Sequence, residues 1–294
     1  MASPLPVAFL NGGFLPLAQA RISPLDRGFL FADSVYEVLP VYGGRPFRFA
    51  EHIARLERSL GEIGMRPPHT PAGWARLFTE LVAHNGGGDM YVYLQVTRGA
   101  DSHRNHAIPP ELAPTIFMMA SPLPVVDPEV LLHGVAAVTL KDTRWKRCDI
   151  KSTALLANVL AKSAATEAGA MEAILLADGK LREGSSSSIL VVAGGAVRVP
   201  PESHAILPGT TRDLVLELAA RAGIEVRVGP VSEPTLREAD EIMIAFATRG
   251  VLPITRLDGR PVGTGVPGPV WRRLYELLLE YRAEVAGTPL LPSA

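Results

Sequence analysis

The chain has 294 residues, of which 47% are hydrophobic and 20% charged, and its formal net charge is -1. That length exceeds what one hydrophobic core usually supports, so two domains sharing an interdomain cleft are expected. The 29 basic residues are balanced by 30 acidic ones, which excludes a phosphate-tracking nucleic-acid surface. No uninterrupted apolar run approaches a membrane span.

The start, Met1-Ala-Ser-Pro-Leu-Pro, lacks a charged segment leading into an apolar one, and a cytoplasmic protein is expected. Phe9-Leu-Asn-Gly-Gly-Phe14 predicts a short hairpin turning at Asn-Gly-Gly. Val35–Tyr42 reads as a strand ending at Gly43-Gly44. Ile53, Leu56, Leu60 and Ile63 then recur at helical spacing before Gly64, with Arg55 near the apolar stripe. A second helix is predicted from Trp74 to His84, a strand over Met90–Thr97, a polar loop over 99–110 and a strand over Thr115–Ala120.

Three prolines within Ser121–Pro128 disfavour helix and central strand, which sets the expected organisation as a domain over 1–120, a linker over 121–130 and a larger domain over 131–294. The second half continues as a strand from Val135 to Leu140, a helix from Leu155 to Glu167 stopped by Gly169, and a strand from Ala173 to Ala177. Ser185–Ser188, between Glu183 and Ile189-Leu-Val-Val192, reads as a tight polar loop entering a strand rather than a low-complexity linker. Leu207-Pro-Gly-Thr-Thr-Arg212 opens a helix closed by Gly223; such a start is either a plain N-cap or a phosphate cradle of backbone amides.

Chemistry enters with Arg144-Trp-Lys-Arg-Cys-Asp-Ile-Lys151 and, about thirty residues later, Glu183-Gly-Ser-Ser-Ser-Ser188. The first supplies an amine able to condense with a carbonyl cofactor, the second a carboxylate able to keep a pyridinium nitrogen protonated. The single cysteine, Cys148, excludes an internal disulfide framework, suits a reducing compartment, and reads as a small buried hydrophobe rather than a reactive thiol. The seven histidines form no His-Glu-x-x-His arrangement, so no metal is expected. Asn85-Gly-Gly-Gly-Asp lacks the spacing of a nucleotide-phosphate loop.

In order along the chain, Asp26-Arg-Gly-Phe-Leu-Phe-Ala-Asp, Val35-Tyr-Glu-Val, Glu51-His-Ile-Ala-Arg-Leu, Val96-Thr-Arg-Gly, the Arg144–Ser152 segment, Glu183-Gly-Ser-Ser-Ser and Gly209-Thr-Thr-Arg-Asp resemble the class IV aminotransferases of pyridoxal 5'-phosphate (PLP) fold type IV. Within that family the chain most resembles the D-amino acid transaminases. The resemblance implies an α+β fold, with a small N-terminal α/β domain and a larger C-terminal domain built on a barrel-like sheet.

It implies PLP as cofactor, Lys151 as the Schiff-base lysine, and Glu183 as the acid at the pyridine nitrogen. Arg55, Gly209, Thr210, Thr211 and Thr248 would hold the phosphate, while Ser186 and Leu207 would lie beside the cofactor. Tyr36, Arg104 and His106 resemble the carboxylate trap of D-amino acid transaminases, and Arg249 would face the substrate. The implied reaction moves an amino group from a D-amino acid such as D-alanine or D-glutamate to a 2-oxo acid. A homodimer follows from the same resemblance, because the Arg104 loop reaches the neighbouring subunit's active site in the family.

Branched-chain L-amino acid transaminase, (R)-amine transaminase, aminodeoxychorismate lyase and a noncatalytic PLP-binding protein are the alternatives. The sequence also departs from the family's wording: the segment from Arg98 to Arg104 is one residue longer, Ser188 stands where Asn is common, and Ala247 stands where a phosphate-binding Thr is expected, beside Thr248.

Overall fold

The computed structural model describes residues 3–287, so the ends of both expected domains, 1–2 and 288–294, lie outside the described residues. Contacts divide the chain into two units. One takes the chain up to Pro124 together with residues 150–154 and the stretch from Arg282; the other takes Val125–Asp149 and Leu155–Tyr281.

The first unit contains β1 (Val7–Leu10), β2 (Gly13–Pro16), α1 (Arg27–Phe31), β3 (Ser34–Tyr42), β4 (Arg45–Pro46), α2 (Phe49–Glu62), α3 (Pro71–His84), β5 (Met90–Thr97) and β6 (Thr115–Pro122). Its strands form one antiparallel sheet in the order β2-β1-β6-β5-β3-β4. The hairpin β1–β2 turns on Asn11 and Gly12, both at positive φ (47° and 97°), the combination a two-residue turn of this hand requires.

Burial alternates along β5, and Met90, Val92, Leu94 and Val96 point into a core shared with Ile53, Leu56 and Leu60 of α2 and Trp74, Phe78 and Leu81 of α3. Gly64 ends the α2 segment at φ 69°, as its position after the apolar stripe predicts. The strand β6 runs two residues into the proline-rich stretch, where Ser121 pairs with Tyr91 and Pro122 with Met90. A proline is accommodated at a strand's last residue because the ladder loses only one donor there, and Pro128 likewise sits at the first turn of the next helix.

The second unit contains α4 (Pro128–His133), β7 (Val135–Lys141), α5 (Leu156–Glu167), β8 (Glu172–Ala177), β9 (Lys180–Gly184), β10 (Ser188–Ala193), β11 (Ala196–Val199), α6 (Thr210–Arg221), β12 (Val226–Val228), α7 (Glu233–Arg237), β13 (Glu241–Phe246), β14 (Gly250–Leu257), β15 (Arg260–Pro261) and α8 (Pro269–Ala286), whose last residues join the first unit. The sheet runs β12-β11-β10-β13-β14-β7-β8-β9, with β15 on β14, and mixes parallel pairs (β14–β7, β7–β8, β11–β12) with antiparallel ones. It curls so that β9 returns against β10. Its interior is packed by Ile174, Ile189, Val191, Ile242, Ile244, Leu252 and Ile254.

Candidate active site

In the first unit Lys151 is fixed by its backbone. Its carbonyl accepts from the Tyr36 amide at 2.9 Å, its own amide donates to Ser59 Oγ at 3.3 Å, and Ser152 bridges to Val35. Thr153 donates its amide to the Ser34 carbonyl at 3.2 Å, and the two hydroxyls bond to each other. Residues 151–153 are thereby laced along the start of β3, so the half-buried Lys151 side chain leaves a rigid base. Its Nζ lies 4.3 Å from the centre of the Tyr36 ring, a cation–π contact, and Tyr36 stacks in turn on Tyr93.

Arg55 lies buried behind the same strand. Its Nε and Nη2 donate to the two carboxylate oxygens of Glu37 at 2.7 and 2.8 Å, a fork-on-fork pair. His52 Nδ1 is 2.7 Å from Glu37 Oε2. Burial works to raise the Glu37 pKa, but the Arg55 guanidinium and His52 overcome it and hold the carboxyl far below its ordinary range. His52 is driven down by burial against the opposing pull of Glu37, aided by the Arg55 and Lys151 charges. Glu37 and Arg55 are therefore a charged pair and His52 a neutral ring at neutral pH.

Arg104 and His106 occur on the irregular loop after β5, with both side chains exposed. They gather on Phe31: the Arg104 guanidinium carbon is 5.0 Å and the His106 ring 5.1 Å from the Phe31 ring centre. The structure thus groups Arg104 with His106, and Tyr36 with Lys151.

In the second unit Glu183, buried near the end of β9, belongs to a charged triad centred on Arg144. Arg144 Nη1 bonds to Glu183 Oε1, while Arg144 Nε and Nη2 fork onto Asp142 at 3.0 and 2.8 Å and Nη2 reaches the Ala205 carbonyl at 3.2 Å. The Leu207 amide donates to Glu183 at 3.2 Å, so Leu207 meets this acid through its backbone.

The serine run is organised by a second buried acid, Glu172. Its carboxylate accepts from the amides of Ala173 (2.9 Å) and Ser185 (3.1 Å) and from the hydroxyls of Ser185, Ser186 (3.3 Å) and Ser187 (2.7 Å). Ser185–Ser187 is accordingly a tight loop entering β10, as expected, with Ser186 turned to Glu172.

Gly209 caps α6 with no side-chain cap bond, and a Cβ there would lie 2.5 Å from Ser188 Oγ. Glycine lets the helix start, with Thr210 and Thr211 in its first turn, approach β10 closely. Thr248 and Arg249 are half-buried in the turn from β13 to β14. Cys148 is partly exposed and donates to the Trp145 carbonyl at 3.0 Å. Burial pushes its thiol up to about 11. Among the described residues no group of three or more His, Cys, Asp or Glu side chains could hold a metal ion.

The sequence reading named Lys151 and Glu183 but not the groups that set them. Glu37 and His52 lie within the Val35-Tyr-Glu-Val and Glu51-His-Ile-Ala-Arg-Leu motifs, and Arg144 opens the segment that ends at Lys151, but their roles come only from their partners in the fold. One weak signal exists: Glu172 is a lone charge within the apolar run Ala170–Ala177, and a buried charge there demands partners.

The family model for amino-transferase class IV matches residues 34–257. The chain belongs to the class IV aminotransferases. D-alanine aminotransferase of Bacillus licheniformis is 39% identical over 268 residues, covering 91% of this chain and 94% of that one. D-alanine aminotransferase of Staphylococcus aureus is 37% identical over 276 residues, covering 93% and 96%. Among solved structures, a branched-chain amino acid aminotransferase from T.th., solved with pyridoxamine 5'-phosphate, superposes with a TM-score of 0.88 at 28% identity, covering 97% of this chain and 95% of that one.

The fold is therefore PLP fold type IV, and its sheet is the curled half-barrel expected of the larger domain. Class IV aminotransferases use PLP, and the residues present fit it. They offer a pinned amine at Lys151, a buried carboxylate at Glu183 bonded by Arg144, and a glycine-opened helix start at Gly209. No helix among the described residues is long and apolar enough to cross a membrane.

Proposed function

We propose that this aminotransferase acts on D-amino acids of the alanine and glutamate type, passing the amino group to a 2-oxo acid such as 2-oxoglutarate or pyruvate. The observation that carries the reading is the pair Arg104 and His106, two exposed side chains held together on Phe31. A guanidinium with an adjacent imidazole is matched to a carboxylate, and fixing the carboxylate fixes which face of the α-carbon loses its proton. Identity of 39% with a D-alanine aminotransferase over nine-tenths of the chain supports it further.

PLP, when bound, supplies the electron sink for the carbon that loses its proton. Lys151 presents the amine and carries that proton, with its backbone held on β3 so that Nζ swings from a fixed base. Glu183 holds a proton at the pyridine nitrogen in this reading, with its carboxylate oriented by Arg144. Gly209, Thr210, Thr211, Thr248 and Arg55 bind phosphate in this reading, the last with its orientation set by Glu37. Ser186 and Leu207 lie beside the ring, Tyr36 supports both Lys151 and substrate, and Arg249 meets the carboxylate of a dicarboxylic partner.

We also infer a homodimer with active sites completed at the subunit interface. Leu156, Val159 and Leu160 expose an apolar strip at helical spacing on α5, the kind of patch a protein surface seldom leaves uncovered. A cytoplasmic setting agrees with the single cysteine.

The test is a half-reaction titration that follows the absorbance of the bound cofactor as D-alanine, D-glutamate, L-leucine or (R)-1-phenylethylamine is added. The D-acids alone are expected to change it. A response to L-leucine instead would overturn the D-specific reading in favour of the branched-chain alternative, and sedimentation of the same preparation as a monomer would remove the dimer.

A further inference from the structure

The loop that carries Arg104 and His106 has no regular structure of its own, yet it is held at three places by consecutive residues Asp26 and Arg27. Asp26 is buried and ties both stems together. Its Oδ2 accepts from Thr97 Oγ1, where the loop leaves β5, at 3.0 Å, and from Thr115 Oγ1, where it enters β6, at 2.6 Å. The stems also meet directly. Gly99, at φ 105°, lies so close to the Ala113 carbonyl that no Cβ would fit.

Arg27 holds the far part. Its side chain is 4% exposed. Nη1 donates to the carbonyls of Asn105 (2.7 Å) and Ala107 (3.2 Å), and Nη2 to that of His106 (3.3 Å). Nε closes on Asp33 at 2.9 Å, and Asp33 in turn accepts from Arg98 Nε at 2.7 Å, at the base of the same loop. The guanidinium carbon also stands 5.0 Å from the Phe31 ring centre, the ring on which Arg104 and His106 rest.

A planar donor fork can span three successive carbonyls and a carboxylate at once, whereas an ammonium cannot. A buried charge used in this way, on backbone acceptors that carry no sequence information, is a device for holding a loop in one conformation.

We propose that Arg27 and Phe31 are positioning residues for substrate specificity: Arg27 fixes the backbone beneath Arg104 and His106, and Phe31 fixes the directions of their side chains. The inference rests on Arg104 and His106 being the substrate-carboxylate trap. It explains how an irregular loop can offer both groups at set positions, since the guanidinium grips the backbone at residues 105–107, beyond Arg104.

The test uses PLP-loaded holoenzyme and the variants Arg27→Lys, Phe31→Leu and Arg104→Ala. Each is treated with D-alanine and, separately, with hydroxylamine, an amine nucleophile that has no carboxylate, and amide hydrogen exchange is followed over residues 101–113. Arg27→Lys is expected to lose about a hundredfold in reactivity toward D-alanine, mostly in apparent affinity rather than saturated rate, as for an ångström-scale misplacement of a binding group. It should keep the hydroxylamine rate and exchange faster at residues 105–107.

Phe31→Leu, which leaves the Arg27–Asp33 pair intact, should lose D-alanine reactivity with unaltered hydroxylamine reactivity even if Arg27→Lys does not fold. If Arg104→Ala loses D-alanine reactivity while Arg27→Lys and Phe31→Leu do not, the positioning roles are wrong and the trap stands. Equal losses toward both reagents would also overturn the roles, as general damage. If Arg104→Ala reacts normally with D-alanine, the trap reading itself fails.

Discussion

Arg144 is bonded at once to Glu183 and, through its other two nitrogens, to Asp142. One guanidinium therefore serves two carboxylates, and the acid assigned to the pyridine nitrogen is never an isolated buried charge. The arrangement separates two jobs: Asp142 holds Arg144 in place, and Arg144 holds the Glu183 carboxylate in one orientation.

Glu183→Gln is expected to fold, because Arg144 retains Asp142, but to lose transamination by at least about a hundredfold, the scale of removing one developing-charge partner. The amide cannot hold a proton at the pyridine nitrogen. Steady-state rates together with the absorbance of the bound cofactor check this; wild-type turnover in the variant would remove Glu183 from the assigned role. Arg144→Met should act in the same direction and in addition weaken cofactor retention on dialysis.

The Glu37–His52–Arg55 cluster gives a pH dependence of stability with a defined sign. Both titrating groups have folded pKa values below their ordinary ones, 6.5 for His52 and 4.5 for Glu37, so the unfolded chain binds more protons than the folded one as pH falls. Stability is complete above about pH 6.5 and declines first through His52 and then, below about 4.5, through Glu37. Thermal melts from pH 8 to about 3 should show this two-stage fall, and His52→Gln should abolish the upper stage while leaving the lower one. A melting temperature that is flat between pH 7 and 5 in the wild type would contradict the assignment. Glu37→Gln, which removes the negative charge facing the buried Arg55 guanidinium, is expected to destabilise by roughly 3–5 kcal/mol.

The legible parts of this molecule are those where a local signal has a single physical meaning. The Asn11-Gly12 turn, the stripe Ile53-Leu56-Leu60 and the glycine stop at Gly64 reappear as read, because turn chemistry and periodicity act within a few residues. Lys151 and Glu183 were legible only through their motifs. What was not legible was pairing at long sequence distance: Glu172 with Ser185, Arg144 with Glu183, and Arg27 with residues 105–107 are each brought together by sheet register or loop closure. The proline-rich stretch at 121–128 shows the opposite limit, since strand β6 takes in Ser121 and ends on the first proline, Pro122.

Cys148 provides a chemical probe of the Arg144 triad. Burial, opposed by Arg144 and reinforced by Glu183, Asp142 and Asp149, pushes its thiol up to about 11 from 9.0. At pH 8 the thiolate population should therefore be roughly a hundredfold below that of an unshifted thiol, and alkylation correspondingly slow. A rate with iodoacetamide near that of free cysteine would show that the thiol is not so shielded.

Glu172 is the residue whose replacement should best separate fold from cofactor binding. Its two oxygens accept from two amides and three hydroxyls, and it is fully buried. In Glu172→Gln one acceptor oxygen becomes a donor facing Ser186 and Ser187, and hydroxyls can rotate to accept from it, so the loop should survive. The loss of charge-assisted bonds predicts a destabilisation of about 1–3 kcal/mol. Glu172→Ala leaves the hydroxyls of Ser185, Ser186 and Ser187 without this acceptor, and should free the segment between Glu183 and β10. The expected signature is a graded one: PLP affinity, read by titrating apoenzyme, falls modestly in the Gln variant and severely in the Ala variant, while the melting temperature of each apoenzyme falls less steeply. If both variants bind PLP as tightly as the wild type, the serine loop takes no part in holding the cofactor, and the role proposed for Ser186 goes with it.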